Sequence, residues 1–519
     1  MLGGSKARDI VRESYENAVL AGEWERRELS SKRVSMLRDD YLDQLVAALY
    51  EVVKAETVRA AVVGHVVPEH NVMRRIVDTI SMVYSWGATR SVGADNAAYR
   101  LLLDECRINA RLSEANRLCN ACNEVLIRPV VRRGRMQLDL ATPDMVTAFP
   151  TDDDPTVPAM LVVYRIGMTK DGAPAVFVDA WTDTQVQRYQ SEAPREVIDS
   201  SGLVKLRTPI SWYKRLSLVP IGQPVEHGYK DEKGVPVMPW VIAHRKEPTD
   251  SIWDETSGSG MVTATITVNL VLGLLRRLAK DQGELQLAWN GSPGQLPPKN
   301  QVLDALSILI GEGQWQVLNL QANPDLYLRQ IDARLKAIAL EYGIPPDSFA
   351  GQQANTSYAV MMQRAPLMEI RGRQIAETWD DVERQLVRAM AAVARKDHPT
   401  LRFSSEGFKV RFSDAPLVGS PMELEQLMDV QIKAGRLSPI DAIQMRRPEL
   451  TREEALAEQE RIAEDKRIWM DLLRETNAPA DGGPGQSPEQ NGAMGPPARD
   501  GQGPPPASPP AAPGAPAAS

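Results

Sequence analysis

Two groups of side chains have the residue types of a metal site, and both groups are incomplete. Cys119 and Cys122 have the spacing of half a structural zinc site, but no second pair of Cys or His supplies the remaining ligands. His65 and His70 are five residues apart beside Pro68, so they are not expected to share one face of a helix. We therefore predict that the cysteines pack in a core as small apolar side chains and that the histidines lie in a loop or a core.

Charged clusters could support a second kind of chemistry. Residues 152–154 are three aspartates followed by Pro155, which could bind a cation as a carboxylate cluster. Because no His, Cys or basic partner accompanies them, we predict a solvated turn that ends at the proline. The arginine pairs at 132–133 and 276–277 lack interleaved aromatic residues, so a solvated face is predicted for both.

Sequence motifs of the common enzyme classes are missing. The chain has no Gly-x-x-x-x-Gly-Lys loop, no Gly-x-Ser-x-Gly elbow and no His-Glu-x-x-His pair, and it has five histidines in total. We therefore predict a protein that is not an enzyme and that has no cofactor and no metal. An enzyme with an unrecognised site remains an alternative at this point.

Composition indicates an ordinary soluble protein. The 519 residues are 43% hydrophobic and 25% charged, and they suffice for about two to four domains. The net charge of −8 argues against tight binding of phosphates, although a protein that only lets DNA pass would not need such binding. Three cysteines cannot form a disulfide framework, and the N-terminal residues contain no apolar run, so we predict synthesis in a reducing cytosol without a signal peptide. The most apolar run, 261–275, is too short to span a bilayer, so no membrane is expected.

The stretch 325–390 organises the rest of the chain and is predicted to form a helix, a loop and a long helix. The first helix carries apolar residues three and four positions apart: Leu328, Ile331, Leu335, Ile338 and Tyr342. Gly343 ends this helix, and Pro345 and Pro346 prevent the loop 344–354 from continuing it.

The second helix of this stretch is predicted to be unusually long. Asn355, Thr356 and Ser357 supply side-chain oxygens that can cap its start. Pro366 is expected to bend the helix rather than end it, because an apolar stripe resumes in helical phase beyond the proline. That stripe consists of Ile375, Trp379, Val382, Leu386, Met390 and Val393.

This arrangement resembles the portal proteins of tailed bacteriophages. The resemblance is most specific at residues 342–346, Tyr-Gly-Ile-Pro-Pro, followed by residues 355–358, Asn-Thr-Ser-Tyr. In that family an inner stem helix leads into a tunnel loop, and a long kinked wing helix follows. The order of elements matches over about residues 125–475, whereas the N-terminal helices match less clearly.

The remaining patterns predict an α+β chain that is mainly helical. Residues 5–127 are predicted to be mostly helical, with one apolar stripe at Leu42, Leu45, Val46, Leu49, Val52 and Val53 and another at Ile108, Leu112, Ala115, Cys119, Cys122 and Leu126. A period of two over 125–241 predicts a β-rich section. It has a hairpin turning at Gly134, strands near 159–166, 175–181 and 185–189, and a turn at 170–172.

In the first half of residues 261–281, threonines alternate with apolar residues, as in a strand. The length of the segment and the spacing of Leu270, Leu274 and Leu278 nevertheless favour a helix. Its apolar residues run nearly all the way round, which predicts burial on several sides, as between identical subunits. Residues 285–320 are predicted to form a strand, a Gly-Pro loop, a helix near 302–310 and a second strand.

Toward the C-terminus, a short strand at 408–412 precedes helices at 422–434, from Ser438, and from Thr451 to about 475. Thr451 and Glu454 form a capping box for the last helix. Residues 477–519 are rich in proline, glycine and alanine, which predicts a disordered tail.

The resemblance implies the parts of a portal protomer. These are a wing at 1–250 and 356–418, an outer stem helix at 251–284, a clip at 285–322, an inner stem helix at 323–343, a tunnel loop at 344–355 and crown helices at 419–476. Such protomers form a ring, typically of twelve subunits, at the unique capsid vertex, and dsDNA is packaged and ejected through it.

The implied partners are dsDNA in transit, the terminase large subunit, the major capsid protein and the head-completion or adaptor proteins. The implied location is the virion, after synthesis in the host bacterial cytoplasm. Another oligomeric virion protein or scaffold-like interaction protein without a DNA channel remains the alternative.

The residues expected to face the channel lie in the tunnel loop and on the inner stem helix. The loop candidates are Pro345, Pro346, Ser348, Gly351, Gln352, Gln353 and Asn355, a composition that ends small, polar and uncharged. Such a tip could lie against a moving phosphate backbone without binding it tightly, although a plain surface turn is the alternative. Opposite the apolar stripe, Arg329 and Lys336 could face the channel or form a salt bridge with a neighbouring subunit.

Overall fold

A computed structural model describes residues 23–93, 96–192, 218–254, 257–283, 287–290, 314–317, 324–346, 357–398, 400–413, 428–435, 437–446 and 452–476. The chain divides into two compact units, Met1–Gly419 and Ser420–Ser519. Long helices and several antiparallel sheets together give the mixed α+β class that the sequence predicts.

The N-terminal part of the first unit is helical, as predicted. Its helices are α1 (Glu23–Leu37), α2 (Leu42–Val52), α3 (Glu56–Val63), α4 (Val72–Ile80), α5 (Asn96–Cys106) and α6 (Ile108–Cys122). The apolar stripe of α2 is only partly buried, because Leu45 and Leu49 lie in the core while Leu42 is 45% and Val52 is 70% exposed.

One strand interrupts these helices and was not predicted. Strand β1 (Ala88–Ser91) pairs antiparallel with β12 (Lys409–Phe412), which matches the strand predicted at 408–412. Four residues are too few for a period of two to stand out, and the partner strand lies far along the chain. The pair therefore depends on tertiary contacts that local sequence does not reveal.

Helix α6 buries the predicted stripe from Ile108 to Cys122. Leu126, which was predicted to continue this stripe, is buried in the strand that follows the helix. Cys119 and Cys122 are free thiols in this core, and burial raises the pKa of Cys122 to about 12. Among the described residues, no group of three or more His, Cys, Asp or Glu could hold a metal ion. The core-packing prediction for the cysteines is confirmed.

The β-rich section forms two antiparallel sheets. The first has the order β3-β2-β9, from β2 (Glu124–Arg132), β3 (Arg135–Ala141) and β9 (Val241–His244). The hairpin between β2 and β3 turns at Arg133 and Gly134, which have φ values of 54° and 74°. The predicted turn at Gly134 is confirmed.

The second sheet has five strands in sequence order. They are β4 (Val146–Pro150), β5 (Pro158–Met168), β6 (Pro174–Trp181), β7 (Gln185–Glu192) and β8 (Val219–Glu226). Strands β5, β6 and β7 match the predicted strands, and Gly172 supplies the left-handed residue of the predicted turn at φ 79°. The three aspartates lie in the β4–β5 turn, where Asp154 accepts hydrogen bonds from the amide and hydroxyl of Thr156 at 2.8 and 2.7 Å.

Two long helices and a pair of short strands come next in the first unit. Helix α7 (Ser259–Gly283) confirms the helix favoured for 261–281. Strands β10 (Leu287–Asn290) and β11 (Gln314–Val317) pair antiparallel, and α8 (Pro324–Glu341) follows them. The helix predicted at 302–310 lies outside the described residues.

The last helical element of this unit is built from three pieces. Helix α9 (Ser357–Gln374) contains Pro366, a π-helical turn spans Ile375–Trp379, and α10 (Asp380–Asp397) continues from it. Trp379, Val382, Leu386, Met390 and Val393 are buried, so the predicted stripe is confirmed. The π-helical turn was not predicted.

In the second unit, α11 (Pro439–Arg446) and α12 (Arg452–Thr476) confirm two predicted helices. The Ser438 hydroxyl accepts a hydrogen bond from the amide of Asp441 at 3.1 Å, as expected of a helix cap. Gly435 has a φ of 68° just after the helical residues at 428–433, where a helix end was predicted. Thr451 of the capping box and the tail 477–519 lie outside the described residues.

Candidate functional site

The candidate site is the pair of helices α7 and α8 and the chain that links α8 to α9. The start of α7 lies against the end of α8, since a Cβ at Gly260 would be 3.1 Å from Ile338 Cδ1. Ile338, Ala339 and Tyr342 are buried there, and the Arg245 guanidinium lies 4.9 Å from the centre of the Tyr342 ring. This end of the helix pair is therefore part of the core of the unit.

Polar side chains fix α7 to the N-terminal helices. The Asn269 Oδ1 atom accepts hydrogen bonds from the amides of Glu69 and His70 at 3.1 Å each, and its Nδ2 donates to the His70 carbonyl at 2.8 Å. One turn earlier, the Thr265 hydroxyl accepts from the Met73 amide at 2.9 Å. Both side chains are almost fully buried, so each satisfies backbone groups that water does not reach.

Close packing continues along α7. A Cβ at Gly273 would lie 2.9 Å from Val66 Cγ2, so only glycine fits at this approach without a shift. Arg276 donates to the carbonyl of His65 at 3.2 Å and pairs with Glu69. Arg276 is thus tied to the N-terminal helices, which is more than the solvated face predicted for the pair at 276–277.

The length of α7 corrects one expectation. The segment Ser259–Lys280 is long enough and, with a mean hydropathy of 1.4 over 18 residues, apolar enough to cross a membrane by length and composition. The sequence had predicted an apolar run of only 261–275, which is too short to span a bilayer. The buried, hydrogen-bonded Thr265 and Asn269 are features of a helix that packs inside a protein.

The apolar stripe of α8 is buried only at one end. Ile338 and Tyr342 are buried and Ile331 and Leu335 are half-buried, whereas Leu328 is 50% exposed. Leu326 and Leu340 are also 55% and 63% exposed. Most of the length of α8 therefore presents leucine side chains to the surroundings of a single chain.

The predicted channel residues fall on this exposed length and just after it. Arg329 is exposed, and Lys336 forms a salt bridge of 2.7 Å with Asp332 of its own helix. Pro345 and Pro346 are half-buried beyond Gly343, whose φ of 69° ends the helix. Ser348, Gly351, Gln352, Gln353 and Asn355 lie outside the described residues.

Buried polar contacts that the sequence did not reveal hold the long helix to the unit. The Arg371 guanidinium donates to the carbonyls of Met82, Val83 and Ser413 at 3.1, 3.3 and 2.6 Å. In α10, Glu383 accepts from Arg90 at 2.8 and 2.5 Å and from the Tyr84 hydroxyl at 2.9 Å. Burial, together with the charge of Glu383, raises the pKa of Tyr84.

A second buried cluster holds the chain that leads into α7. The Asn123 amide donates to the carbonyls of Asp254 and Ser257 at 2.7 Å each, and Arg33 donates to Ser257 at 2.6 Å. Glu124 accepts from the Asp254 amide at 2.7 Å. Burial raises the pKa of Glu124 to about 8.

Comparison with the models of known protein families found no match, and comparison with curated proteins found none either.

Proposed function

We propose that this chain is a bacteriophage portal protein, which forms a ring at one capsid vertex and provides the channel for packaging and ejection of dsDNA. The observation that carries the proposal is the partial burial of α8. One end of the helix lies in the core, while Leu326 and Leu328 remain about half exposed. Apolar side chains in this position are explained if neighbouring copies of the chain cover them.

The order of elements supports the same assignment. Helix α7 leads into the β10–β11 pair, α8 returns to the core, and the long element Ser357–Asp397 follows with Pro366 and a π-helical turn inside it. This is the order of outer stem, clip, inner stem, tunnel loop and kinked wing helix in the family that the sequence resembles. The β-rich sheets and the N-terminal helices then form the wing, and α11 and α12 belong to the crown.

The proposed channel contacts DNA only weakly. A net charge of −8 on each subunit, repeated around a ring, discourages adhesion of phosphates. Arg329 is the exposed cation on α8 that we assign to the channel, and Lys336 is partly neutralised by Asp332. The contact surface would be completed by the loop 344–355.

The role is structural, without catalysis, cofactor or membrane. The clip is proposed to dock the terminase large subunit during packaging and the head-completion or adaptor proteins afterwards, and the wing to contact the major capsid protein. An oligomeric virion or scaffold-like protein without a channel would use the same exposed leucines for assembly. The two roles differ in whether DNA passes through the ring.

Electron microscopy of the purified full chain tests the assembly. We expect rings with a central hole. Replacing Leu328 by Gln should lower the yield of rings, because it removes an apolar side chain from the proposed contact between subunits. Leu101 of α5, which is 54% exposed, gives the matched control, and Leu101→Gln should leave ring yield unchanged. Monomers at all concentrations would overturn the proposal.

Shortening the loop at residues 350–354 separates a portal from a ring without a channel. We expect rings of normal yield by sedimentation, since loop tips contribute little to a core, and less packaged DNA per particle by nuclease protection. Full packaging with the shortened loop would reduce it to a connector. Charge reversal at Arg329 and Lys336 gives a second readout, because a lower yield of rings with normal packaging per ring would assign both residues to contacts between subunits.

A further inference from the structure

The outer strand of the five-stranded sheet borders a cleft of about 310 Å³. On β8, Val219, Ile221 and Val225 are 61%, 46% and 62% exposed, although a solvated edge strand would be expected to carry polar residues there. Ile221 and Val225 line the cleft together with Trp181 of the neighbouring part of the sheet. This edge thus has an apolar surface with a concave site beside it.

Basic and aromatic side chains complete the cleft. Arg188 is 64% exposed, and its Nε atom lies 3.9 Å from Oδ1 of Asp179. Lys396 donates a hydrogen bond to the His227 carbonyl, and its Nζ atom lies 5.0 Å from the centre of the Tyr229 ring. Glu226 is the acidic residue among those that line the cleft, so the two cations outnumber it. The cleft therefore suits an acidic segment with an apolar side chain.

A segment with this chemistry lies at the other edge of the same sheet. The β4–β5 turn carries Asp152 and Asp153, both exposed, and Val157, which is 46% exposed. It lies beyond β4 and β5, separated from β8 by β6 and β7. Across four strand spacings, the outermost strands are about 19 Å apart, so the turn is not adjacent to the cleft of its own chain.

Turn and cleft also lie at the same end of the sheet. Leu161 at the start of β5 pairs with Trp181, and Val186 pairs with Val225, so these residues form a row across the sheet. If neighbouring copies are related by rotation about an axis roughly parallel to the strands, the β4–β5 turn of one copy and the cleft of the next lie at the same position along that axis. Such a rotation brings the turn of one copy to the cleft of the next, which is the head-to-tail contact that closes a ring.

We propose that the β4–β5 turn of one subunit docks into the cleft beside β8 of its neighbour. Asp152 and Asp153 pair with Arg188 and Lys396, and Val157 packs against the exposed valines and isoleucine of β8. This inference rests on the proposed ring, and it adds a contact in the β-rich section to the contact expected between the paired helices.

A charge exchange tests the contact in the full chain. The pair Arg188→Glu with Lys396→Glu and the pair Asp152→Lys with Asp153→Lys should each raise the concentration for half-assembly by about tenfold, which corresponds to about 1.4 kcal/mol for each contact. The combined variant should return to near the original value, because opposite charges face each other again. Exchange of charge in the β5–β6 turn, Lys170→Glu with Asp171→Lys, is the matched control at the opposite end of the sheet, where both residues are exposed.

Sedimentation of each variant in low and high salt gives the readout, and melting curves establish that each one folds. Normal assembly of either paired variant, or a combined variant no better than either pair, would overturn the contact while leaving the portal proposal intact. Absence of rings for the unaltered chain would instead remove the proposed function, and this inference with it. Loss of assembly in the control would show that rearranged charges elsewhere on the same sheet also disrupt assembly, and it would equally overturn the contact.

Discussion

Replacing Glu124 by Gln should stabilise the folded chain at high pH and change little in acid. Glu124 is 3% exposed at the start of β2, and its carboxylate accepts a hydrogen bond from the Asp254 amide at 2.7 Å. Burial is the main cause that raises its pKa from 4.5 to about 8. A glutamine at this position keeps the acceptor oxygen and removes the titrating group.

The direction of the pH dependence follows from which state, folded or unfolded, binds the proton of Glu124 more tightly. Below pH 4.5 the carboxyl is protonated in both states, so its contribution to folding is fully present. Between pH 4.5 and 8 the unfolded chain ionises while the folded chain must retain the proton, and stability falls as pH rises. The whole difference corresponds to about 5 kcal/mol above pH 8 if the site stays closed, and entry of water to the carboxylate would reduce it.

Urea unfolding of the original chain and Glu124→Gln, at one protein concentration and at several pH values from 5 to 9, measures the difference. We expect the two free energies of unfolding to diverge steadily as pH rises and to become parallel above about pH 8. Glu51→Gln on α2, an exposed carboxylate, is the control and should show no such divergence. A constant difference across the whole pH range would refute the assignment of a buried, protonated Glu124.

Four further changes test the packing and the tail. Asn269→Ala removes the hydrogen bonds to the chain at 69–70 and should destabilise the protein by about 2–4 kcal/mol in thermal unfolding, with the exposed Thr267→Ala as control. Arg90→Met leaves Glu383 buried without its cation and should cost about 3–5 kcal/mol, part of which the added change Glu383→Leu should restore if the pair is the cause. Gly273→Ala should cost about 1–3 kcal/mol through contact with Val66, whereas Gly372→Ala, with open space around it, should be neutral or stabilising by up to about 1 kcal/mol. Truncation after residue 476 should leave ring yield unchanged, and loss of folded protein would contradict the prediction of a dispensable tail.

Long amphipathic repeats and glycine turns made much of the fold predictable. The stripe from Trp379 to Val393 spans several turns, so its period is unmistakable, and the left-handed Gly134 and Gly172 mark hairpins because few other residues adopt that conformation. Short or non-local features were missed. Strand β1 has four residues, and the π-helical turn at Ile375–Trp379 leaves the helical stripe almost in phase.

The polar anchors were unpredictable for a different reason. The residue type alone does not show that Arg371 or Asn269 is buried. The role of each depends on backbone groups far along the chain, which remain without a hydrogen-bond partner until the fold brings them close. In the sequence, Asn269 is a polar residue that makes the apolar run 261–275 less typical of a membrane-spanning helix. In the fold, it is one of the residues that hold α7 in place.

The stripe of α8 illustrates the limit of pattern reasoning most directly, and it also indicates how assembly is driven. Leu328 and Ile338 are equivalent in the sequence pattern, but only Ile338 is buried within one chain. Covering the half-exposed Leu328, the exposed end of the stripe, is worth about 1 kcal/mol per subunit. That is too little to hold two copies together against the entropy of association, which costs at least about 4 kcal/mol. Closing an open chain of copies into a ring adds one more contact between subunits, and no further subunit has to lose its translational and rotational freedom. The exposed stripe therefore favours complete rings over pairs.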